Sequence, residues 1–352
     1  TINSEFFNAF RRYFISTAVD QLFAGGDEER NVGGGAYERA RLSYFGRVGY
    51  NYQEKYLAEF LWRYDGSYIF PPNKRFGFFP GVMVGWRISE EDFFRDNVSF
   101  VDNLKIRASW GQMGAEPYLN GSLAEYQFLA TYGFSSFIID DEVARALYET
   151  KMPNPNFTWE VGNNTNIGLE ASLFGNKLNL EFDVFRNQRK NALIRASGAV
   201  PGSSGIEPIL PPTNIGQLDN KGWEFKVGYN NSIGDLRYNV GVNGGYAKNK
   251  IVFWSEAPGV PEWQRSTGST FGSNGAAFLV YEYDGVFRDD KDLAANNIDY
   301  SAVGGANLRP GDMKFRDVNN DGKITGDDQV RLDKNRDPRF TYGINAGLQY
   351  KN

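Results

Sequence analysis

Hydrophobic and polar residues alternate along many segments of the chain. In residues 178–186 one face of an extended strand would carry Leu178, Leu180, Phe182 and Val184, while Asn179, Glu181 and Asp183 lie on the other. The same period of two recurs in residues 43–53, 55–65, 82–89, 103–111, 163–174, 222–229, 236–246 and 339–350. Because successive side chains of a strand point to opposite sides, the pattern predicts about ten strands, each with an apolar and a polar face.

Strand length and the residues on each face separate two all-β architectures that share this alternation. Several segments have ten residues or more, whereas strands of soluble sheets usually have about five or six and transmembrane strands about 9–11. Tyr and Trp lie near strand ends, as in interfacial aromatic girdles, at Tyr44, Tyr50, Tyr52, Trp62, Tyr64, Trp86, Trp110, Tyr229, Tyr246 and Tyr350. The polar faces carry charge suited to a hydrated lumen, at Arg47, Glu59, Arg63, Arg87, Lys105, Arg107, Glu170, Glu181, Asp183, Glu224 and Lys226. The pattern favours a transmembrane antiparallel β-barrel over a soluble β-sandwich.

The connections between the predicted strands have two lengths. Short turns of hairpin type are expected at Gly175-Asn176 and Gly234-Asp235, whereas residues 115–157, 189–213 and 251–338 form long stretches rich in Pro, Gly, Ser and aromatic residues. Short turns on one side and long loops on the other are typical of outer-membrane barrels, in which the long loops are extracellular.

Composition removes several classes of function. The 352 residues include no Cys and no His, which excludes disulfides, thiolate or His-ligated metal sites, and His-dependent nucleophilic catalysis. The formal net charge of −5 predicts no general attraction to nucleic acid. No apolar run approaches the roughly 18 residues of a membrane-spanning helix.

Residues 44–91, "YFGRVGYNYQEKYLAEFLWRYDGSYIFPPNKRFGFFPGVMVGWRISEE", contain a series of short motifs in a fixed order. Further motifs follow as "NPNFTWE" at 154–160, "NIGQLDNKGWEF" at 214–225, "GDMKFRDVNNDGKI" at 311–324 and "DPRFTYG" at 337–343. Together they resemble the TonB-dependent outer-membrane transporters of the SusC/RagA family across residues 37–352.

The resemblance implies a 22-stranded barrel that is filled by a plug domain and capped by a SusD-like surface lipoprotein. It also implies import of oligosaccharides or peptides powered by the TonB complex. The chain is accordingly expected to be the C-terminal barrel portion of a longer polypeptide, with the plug domain, the TonB-contacting N-terminal region and the last strands outside it. Residues 1–36 are expected to be a loop or extracellular segment before the barrel strands of 37–352. The Gly-rich "NVGGGAYER" at 31–39 lacks the Lys-Ser/Thr of a phosphate loop and is interpreted as a flexible connector.

Residues 317–328, "DVNNDGKITGDD", have the ligand spacing of an EF-hand calcium loop. The predicted ligands are Asp317, Asn319, Asp321, the backbone carbonyl of Lys323 and Asp328, with Thr325 at the water-mediated position. The flanks are not helical, so we expect calcium to stiffen a long extracellular loop. The alternative is a solvated acidic turn.

Loop aromatic residues are the candidates for substrate contact, because flat rings can stack on sugars or on peptide side chains. The candidates are Trp254, Trp263 and Tyr126. For any single one of them, packing of loop against loop or against the lipoprotein cap is the favoured role. Paired carboxylates such as Asp140, Asp141 and Glu142 show no sign of the burial that hydrolysis requires, so no catalytic residue and no organic cofactor is predicted.

These features lead to one main hypothesis and two alternatives. The main hypothesis is TonB-dependent nutrient import across the bacterial outer membrane, with a SusD-like lipoprotein as partner and a possible dimer of transporter–lipoprotein pairs. The alternatives are a passive outer-membrane channel and a soluble, calcium-bound glycan-binding β protein.

Overall fold

The computed structural model describes residues 2–12, 22, 31–119, 121–139, 141–195, 198, 200–272, 275–305, 307–334 and 336–351. Their strands are β1 (Ile2–Phe10), β2 (Asn31–Arg39), β3 (Arg41–Tyr52), β4 (Tyr56–Ser67), β5 (Phe76–Arg87), β6 (Val101–Ala115), β7 (Tyr118–Leu119), β8 (Ser122–Leu123), β9 (Thr131–Ile139), β10 (Glu142–Lys151), β11 (Glu160–Leu173), β12 (Leu178–Arg195), β13 (Pro212–Ile233), β14 (Leu236–Phe253), β15 (Phe271–Gly272), β16 (Gly275–Ala276), β17 (Leu279–Tyr281), β18 (Tyr283–Val286), β19 (Met313–Phe315), β20 (Gln329–Arg331) and β21 (Phe340–Tyr350). Two short helices, α1 (Asp92–Arg95) and α2 (Asp290–Ala294), accompany them. Neither has the length and apolar character that a helix needs to cross a membrane.

Nine long strands form one antiparallel sheet in the order β21-β14-β13-β12-β11-β6-β5-β4-β3. These strands contain the nine alternating segments of the sequence, so the prediction of an all-β, partial transmembrane barrel is confirmed, and the main sheet holds nine strands where about ten were expected. Within the described residues the sheet does not close on itself.

The strand register keeps the two faces of every strand on the same two sides of the sheet. One apolar row crosses the whole sheet through directly opposed residues, namely Tyr50, Ala58, Val84, Ala108, Ile167, Val184, Trp223, Tyr246 and Phe340. The aromatic residues predicted for the girdles lie on this apolar face, and the eleven charged residues predicted for the lumen lie on the other. Apolar-face side chains remain open to the surroundings, with Ile167 58% and Leu348 79% exposed. One face of the sheet is thus apolar and exposed, and the other is polar. The wall of a barrel with hydrocarbon outside and water inside requires this arrangement.

Short turns join strands at one end of the sheet, as the sequence predicts. The turn between β11 and β12 has three consecutive residues with positive φ, at Phe174 (59°), Gly175 (70°) and Asn176 (61°). Gly234 takes φ of 58° between β13 and β14. Gly and Asn adopt this left-handed region at low cost, which explains why the turns form at these points. The three long connections predicted from the sequence all leave from the opposite end, which we call the loop end.

The structure corrects the prediction for residues 31–39. They form β2, which pairs with β1 as a separate two-stranded ribbon, so the predicted boundary between 36 and 37 lies inside a strand. The interpretation of this Gly-rich segment as a flexible connector is wrong. Gly34 and Gly35 stand opposite Phe7 and Phe6 in the ribbon, and glycines contribute no side chain from which an alternation could be recognised.

Buried apolar residues collect in two clusters, both formed with loop residues. The rim cluster lies at the loop end and consists of Ile69, Phe70, Phe79, Ala124, Phe157, Trp159 and Leu193. The loop cluster consists of Phe287, Tyr300 and Ile324. The long connections therefore fold into compact structures of their own.

The orientation of the two faces predicts effects of different size for arginine at neighbouring positions of β14. Val240 lies in the middle of the apolar face, so Val240→Arg should destabilise the folded protein in a bilayer by about 2–4 kcal/mol. Asn239→Arg, one residue away on the polar face, is the matched control and should have a small effect. Denaturant titration in lipid vesicles, followed by the gel shift between folded and unfolded protein, measures both. Equal destabilisation by the two variants would contradict the assigned orientation.

Candidate functional site

The centre of the polar face carries a network of ion pairs contributed by three adjacent strands. The Arg107 guanidinium on β6 donates to Glu170 on β11 (Nε–Oε1, 2.8 Å) and to Asp183 on β12 (Nη2–Oδ2, 2.8 Å). Lys105 donates to the second oxygen of Glu170 at 2.9 Å. Gly168 lies between these groups, and a Cβ there would come within 2.7 Å of the guanidinium carbon. Each of these charges is thus compensated within a half-hydrated wall.

The polar face changes character toward β14 and β21. Asn239, Asn243 and Asn345 stand directly opposite Gly347, Gly343 and Gly241. The amide of each Asn lies over the opposing glycine, because a Cβ at Gly241 would be 2.3 Å from the Asn345 oxygen. This part of the wall is therefore flat and neutral, and together with Glu181, Asp183 and Glu224 it lines an open cavity of about 840 Å³.

Two of the family-like motifs meet beside the rim cluster. Buried Asn154 donates to the carbonyl of Pro212 at 2.8 Å, and Asn214 exchanges hydrogen bonds with the backbone of Thr158, at 3.1 Å from its amide and 2.9 Å to its carbonyl. Glu160 accepts from the Leu193 amide at 2.9 Å. The motif residues at 154–160 and 214 therefore hold the ends of β11, β12 and β13 together at the loop end. This structural role accounts for their presence in the motifs.

Tyr126 lies in a loop that folds over the rim cluster. Its ring is 5.7 Å from that of Tyr68, edge to face, and 6.2 Å from that of Phe128, and it keeps an exposed side. Burial and the hydrogen bond that its hydroxyl donates to Glu125 raise the pKa of Tyr68 to about 12. Arg39 also pairs with Glu125, at 2.8 Å. Tyr126 thus packs at the loop end against Tyr68, whose hydroxyl is held by Glu125.

Trp254 and Trp263 lie in a different loop, 254–272. The Trp254 ring packs against Phe271 at 5.9 Å. Trp263 donates from Nε1 to the carbonyl of Asp327 at 2.9 Å, and Gln264 donates to the carbonyl of Gly326 at 2.8 Å. Within the described residues no ring contact joins Tyr126, Trp254 and Trp263, so the structure does not assemble them into one site.

Arg331 holds two separate loop segments together, and the sequence did not indicate this role. Its guanidinium donates to the carbonyl of Gln264 at 2.7 and 3.0 Å and to that of Ala277 at 2.7 Å. Burial lowers the pKa of Arg331 from its ordinary value, and the group stays charged at neutral pH. Its position in the sequence just after the predicted calcium loop gave no sign of a partner 67 residues away.

The predicted calcium ligands occupy a turn closed by backbone hydrogen bonds. Asp317 accepts from the amides of Asp321 and Gly322, at 3.2 and 2.8 Å. Asp328 is fully buried and accepts from the amides of Val318 and Thr325, at 2.9 and 2.8 Å. Over the described ranges no three Asp, Glu, His or Cys side chains are grouped closely enough to hold a metal between them. An ion here would therefore also need the amide oxygen of Asn319 and the Lys323 carbonyl. Calcium binding stays a prediction.

The contact between Trp263 and the predicted calcium loop, residues 317–328, predicts a structural effect of Trp263→Phe. The change keeps a ring but removes the hydrogen bond to Asp327, which should cost about 0.5–1.5 kcal/mol locally. Hydrogen exchange of the amides in 262–264 and 326–329 should become faster. Trp254→Phe is the matched control in the same loop, because no hydrogen bond of its indole N–H is present among the described residues. Unchanged exchange in Trp263→Phe would contradict this role.

Comparison with known proteins provides the family. Residues 3–352 match the model of the TonB dependent receptor-like, beta-barrel family. The chain is 32% identical over 346 residues to TonB-dependent receptor P3 of Formosa agariphila, covering 92% of this chain and 32% of the relative. It is 27% identical over 339 residues to TonB-dependent receptor SusC of Bacteroides thetaiotaomicron, covering 88% of this chain and 30% of the relative. The chain thus spans about a third of the length of these relatives.

Solved structures show the same fold. The RagAB peptide importer matches in its closed-closed state with a TM-score of 0.65, 22% identity, 95% of this chain and 35% of that one. The open-open state of the same importer matches with a TM-score of 0.68, 22% identity, 96% of this chain and 34% of that one. Because the family match extends over nearly every residue, the chain belongs to the TonB-dependent receptor-like β-barrel family.

Proposed function

We propose that this chain forms part of the barrel of a transporter that imports oligosaccharides or peptides across the bacterial outer membrane by a TonB-dependent route. The observation that supports this most directly is the single sheet of nine strands, apolar on one face and charged or amide-bearing on the other, in a chain of this family. The apolar face would meet hydrocarbon, and the polar face would line the path of the substrate.

The polar wall is suited to transient contact with a hydrophilic solute. The charges of Lys105, Arg107, Glu170 and Asp183 compensate one another, so none of them has to be desolvated alone when a solute passes. The Asn-over-Gly surface beside them is flat and uncharged. A wall of this kind can exchange hydrogen bonds with water for hydrogen bonds with a solute at little net cost.

Relatives suggest the partners. The SusC relative and the RagAB importer motivate a SusD-like surface lipoprotein that covers the loop end, and two such transporter–lipoprotein pairs would assemble as a dimer. Contact with the TonB complex would be made outside the strands and loops described above. In this proposal the protein is a transporter without a catalytic residue or an organic cofactor.

Energy coupling separates the proposed function from a passive channel. Deletion of the gene should abolish growth on one class of oligosaccharide or peptide, and uptake of that labelled substrate should stop after deletion of tonB or collapse of the proton gradient. Uptake that persists without TonB would favour the passive channel. Recovery of the protein in the aqueous fraction would favour a soluble glycan-binding protein, although the large exposed side chains of the apolar face argue against it.

We also propose that Asp317, Asn319, Asp321, Asp328 and the carbonyl of Lys323 hold a calcium ion. The oxygen-only donor set suits this cation, and Gly322, with φ of 78°, permits the sharp turn that the sixth position of such a loop requires. Ile324 next to them is fully buried in the loop cluster, so an ion would brace the turn against that cluster.

Terbium luminescence tests the calcium proposal, because Trp263 lies against Asp327 and can sensitise a bound lanthanide. Excitation of tryptophan should produce terbium emission that calcium displaces and that Asp321→Asn reduces at least about tenfold, since a charged ligand is lost. Asp327→Asn, an exposed neighbour outside the ligand set, should leave the emission unchanged. Emission that is absent, or equal in both variants, would contradict the proposal.

A further inference from the structure

A straight row of asparagines crosses the polar face near the loop end. Asn164 on β11 is directly opposite Asn187 on β12, which is opposite Asn220 on β13, which in turn is opposite Asn249 on β14. Directly opposed residues have Cβ atoms about 4.5–5.5 Å apart. The row therefore presents carboxamides at a regular repeat of about 5 Å around the wall.

Three of these four carboxamides have no hydrogen-bond partner among the described residues. Asn249 exchanges two hydrogen bonds with the backbone of Phe271, at 2.6 and 2.8 Å. In the described part of the chain the side chains of Asn164, Asn187 and Asn220 make no hydrogen bond and no ion pair. Since these side chains lie on the polar face of the sheet, they are available to a solute. Each carboxamide can donate and accept hydrogen bonds at the same time.

The row borders an open cavity of about 350 Å³. All four asparagines line it, together with Glu160 and Arg189. Arg189 and Glu160 pair with each other at 3.2 Å, so the charged members of the lining compensate one another. The volume is in the range of small-molecule sites, and the surface offers hydrogen bonds without net charge.

An aromatic platform adjoins the row. Phe185 lies two residues from Asn187 on the same face, and its ring lies over Gly222, where a Cβ would be 2.7 Å from the ring. Asn166, opposite Phe185, has a buried side-chain oxygen without a hydrogen-bond partner among the described residues. A flat ring against the wall next to free amides is the combination that binds the apolar face and the hydroxyls of a sugar ring.

We propose that Asn164, Asn187 and Asn220, with Phe185, form a contact site for a neutral oligosaccharide. The inference rests on the proposed import function, because it places the site on the wall of the substrate path. A peptide is the weaker candidate. Peptide backbones are typically bound by adding a strand to an open sheet edge, whereas β11, β12 and β13 are each paired on both sides and offer only side chains.

Binding measurements test the site in the protein made from the complete open reading frame, purified in detergent with any partner that accompanies it. The probes are an array of neutral and anionic oligosaccharides and a pool of uncharged short peptides. We expect a neutral oligosaccharide to bind, and Asn187→Leu and Asn220→Leu each to weaken its affinity about three- to tenfold, the effect of losing a hydrogen bond.

Asn51→Leu provides the matched control, since it replaces an exposed asparagine at the turn end of β3, outside the row and outside both cavities described above, and should leave the affinity unchanged. The gel shift of each variant verifies that it folds. Equal affinity in all variants, binding of the peptides alone, or no neutral oligosaccharide bound would overturn the site.

Uptake distinguishes the failure of this site from the failure of the proposed function. TonB-dependent import that continues at the parental rate in the Asn187→Leu/Asn220→Leu double variant would refute the site and leave the transporter intact. Import that is independent of TonB in the parent would instead remove the proposed function on which the site rests.

Discussion

The register between strands is the constraint on which the rest of this structure depends. A slip of one residue in any pairing would turn a whole strand over, placing its charges in hydrocarbon and its Leu, Phe and Val side chains in water. Register irregularities in the main sheet occur near strand ends, such as those at Ser172/Leu173 and Gln217/Leu218. Through the centre of the sheet the pairing is uninterrupted, and this continuity produces the apolar row, the ion-pair network and the row of asparagines.

The loop end is ordered by different forces. There the rim cluster and the loop cluster bury aromatic and aliphatic side chains away from lipid, and polar side chains bind backbone carbonyls and amides that no strand satisfies. Arg331, Asn154 and Asn214 act in this way, as does Trp263. Such contacts hold long connections in defined positions above a wall whose own stability comes from pairing and lipid contact.

Much of the sheet follows from the sequence because a strand with two unlike faces leaves a signal of period two. The face of every predicted charged and girdle residue is confirmed, and the Gly-containing turns at 175 and 234 lie where expected. The β2 strand was not predicted, because Gly33, Gly34 and Gly35 give no alternation of apolar and polar side chains. Partners far apart in the chain, such as Arg331 with Gln264 or Arg107 with Asp183, depend on tertiary placement that a local pattern does not encode. The same limit applies to the asparagine row, since Asn164, Asn187, Asn220 and Asn249 become neighbours only through the register of four strands.

The two outermost strands of the sheet, β3 and β21, have a consequence of their own. Within the described residues each of these strands is paired on one side only. Backbone N–H and C=O groups on its other side are therefore unpaired, and they lie beside the apolar face of the sheet. In a bilayer core such groups have no water to bind. These margins must therefore recruit further strands, and a sheet of this kind isolated in water would associate with copies of itself through the same two margins.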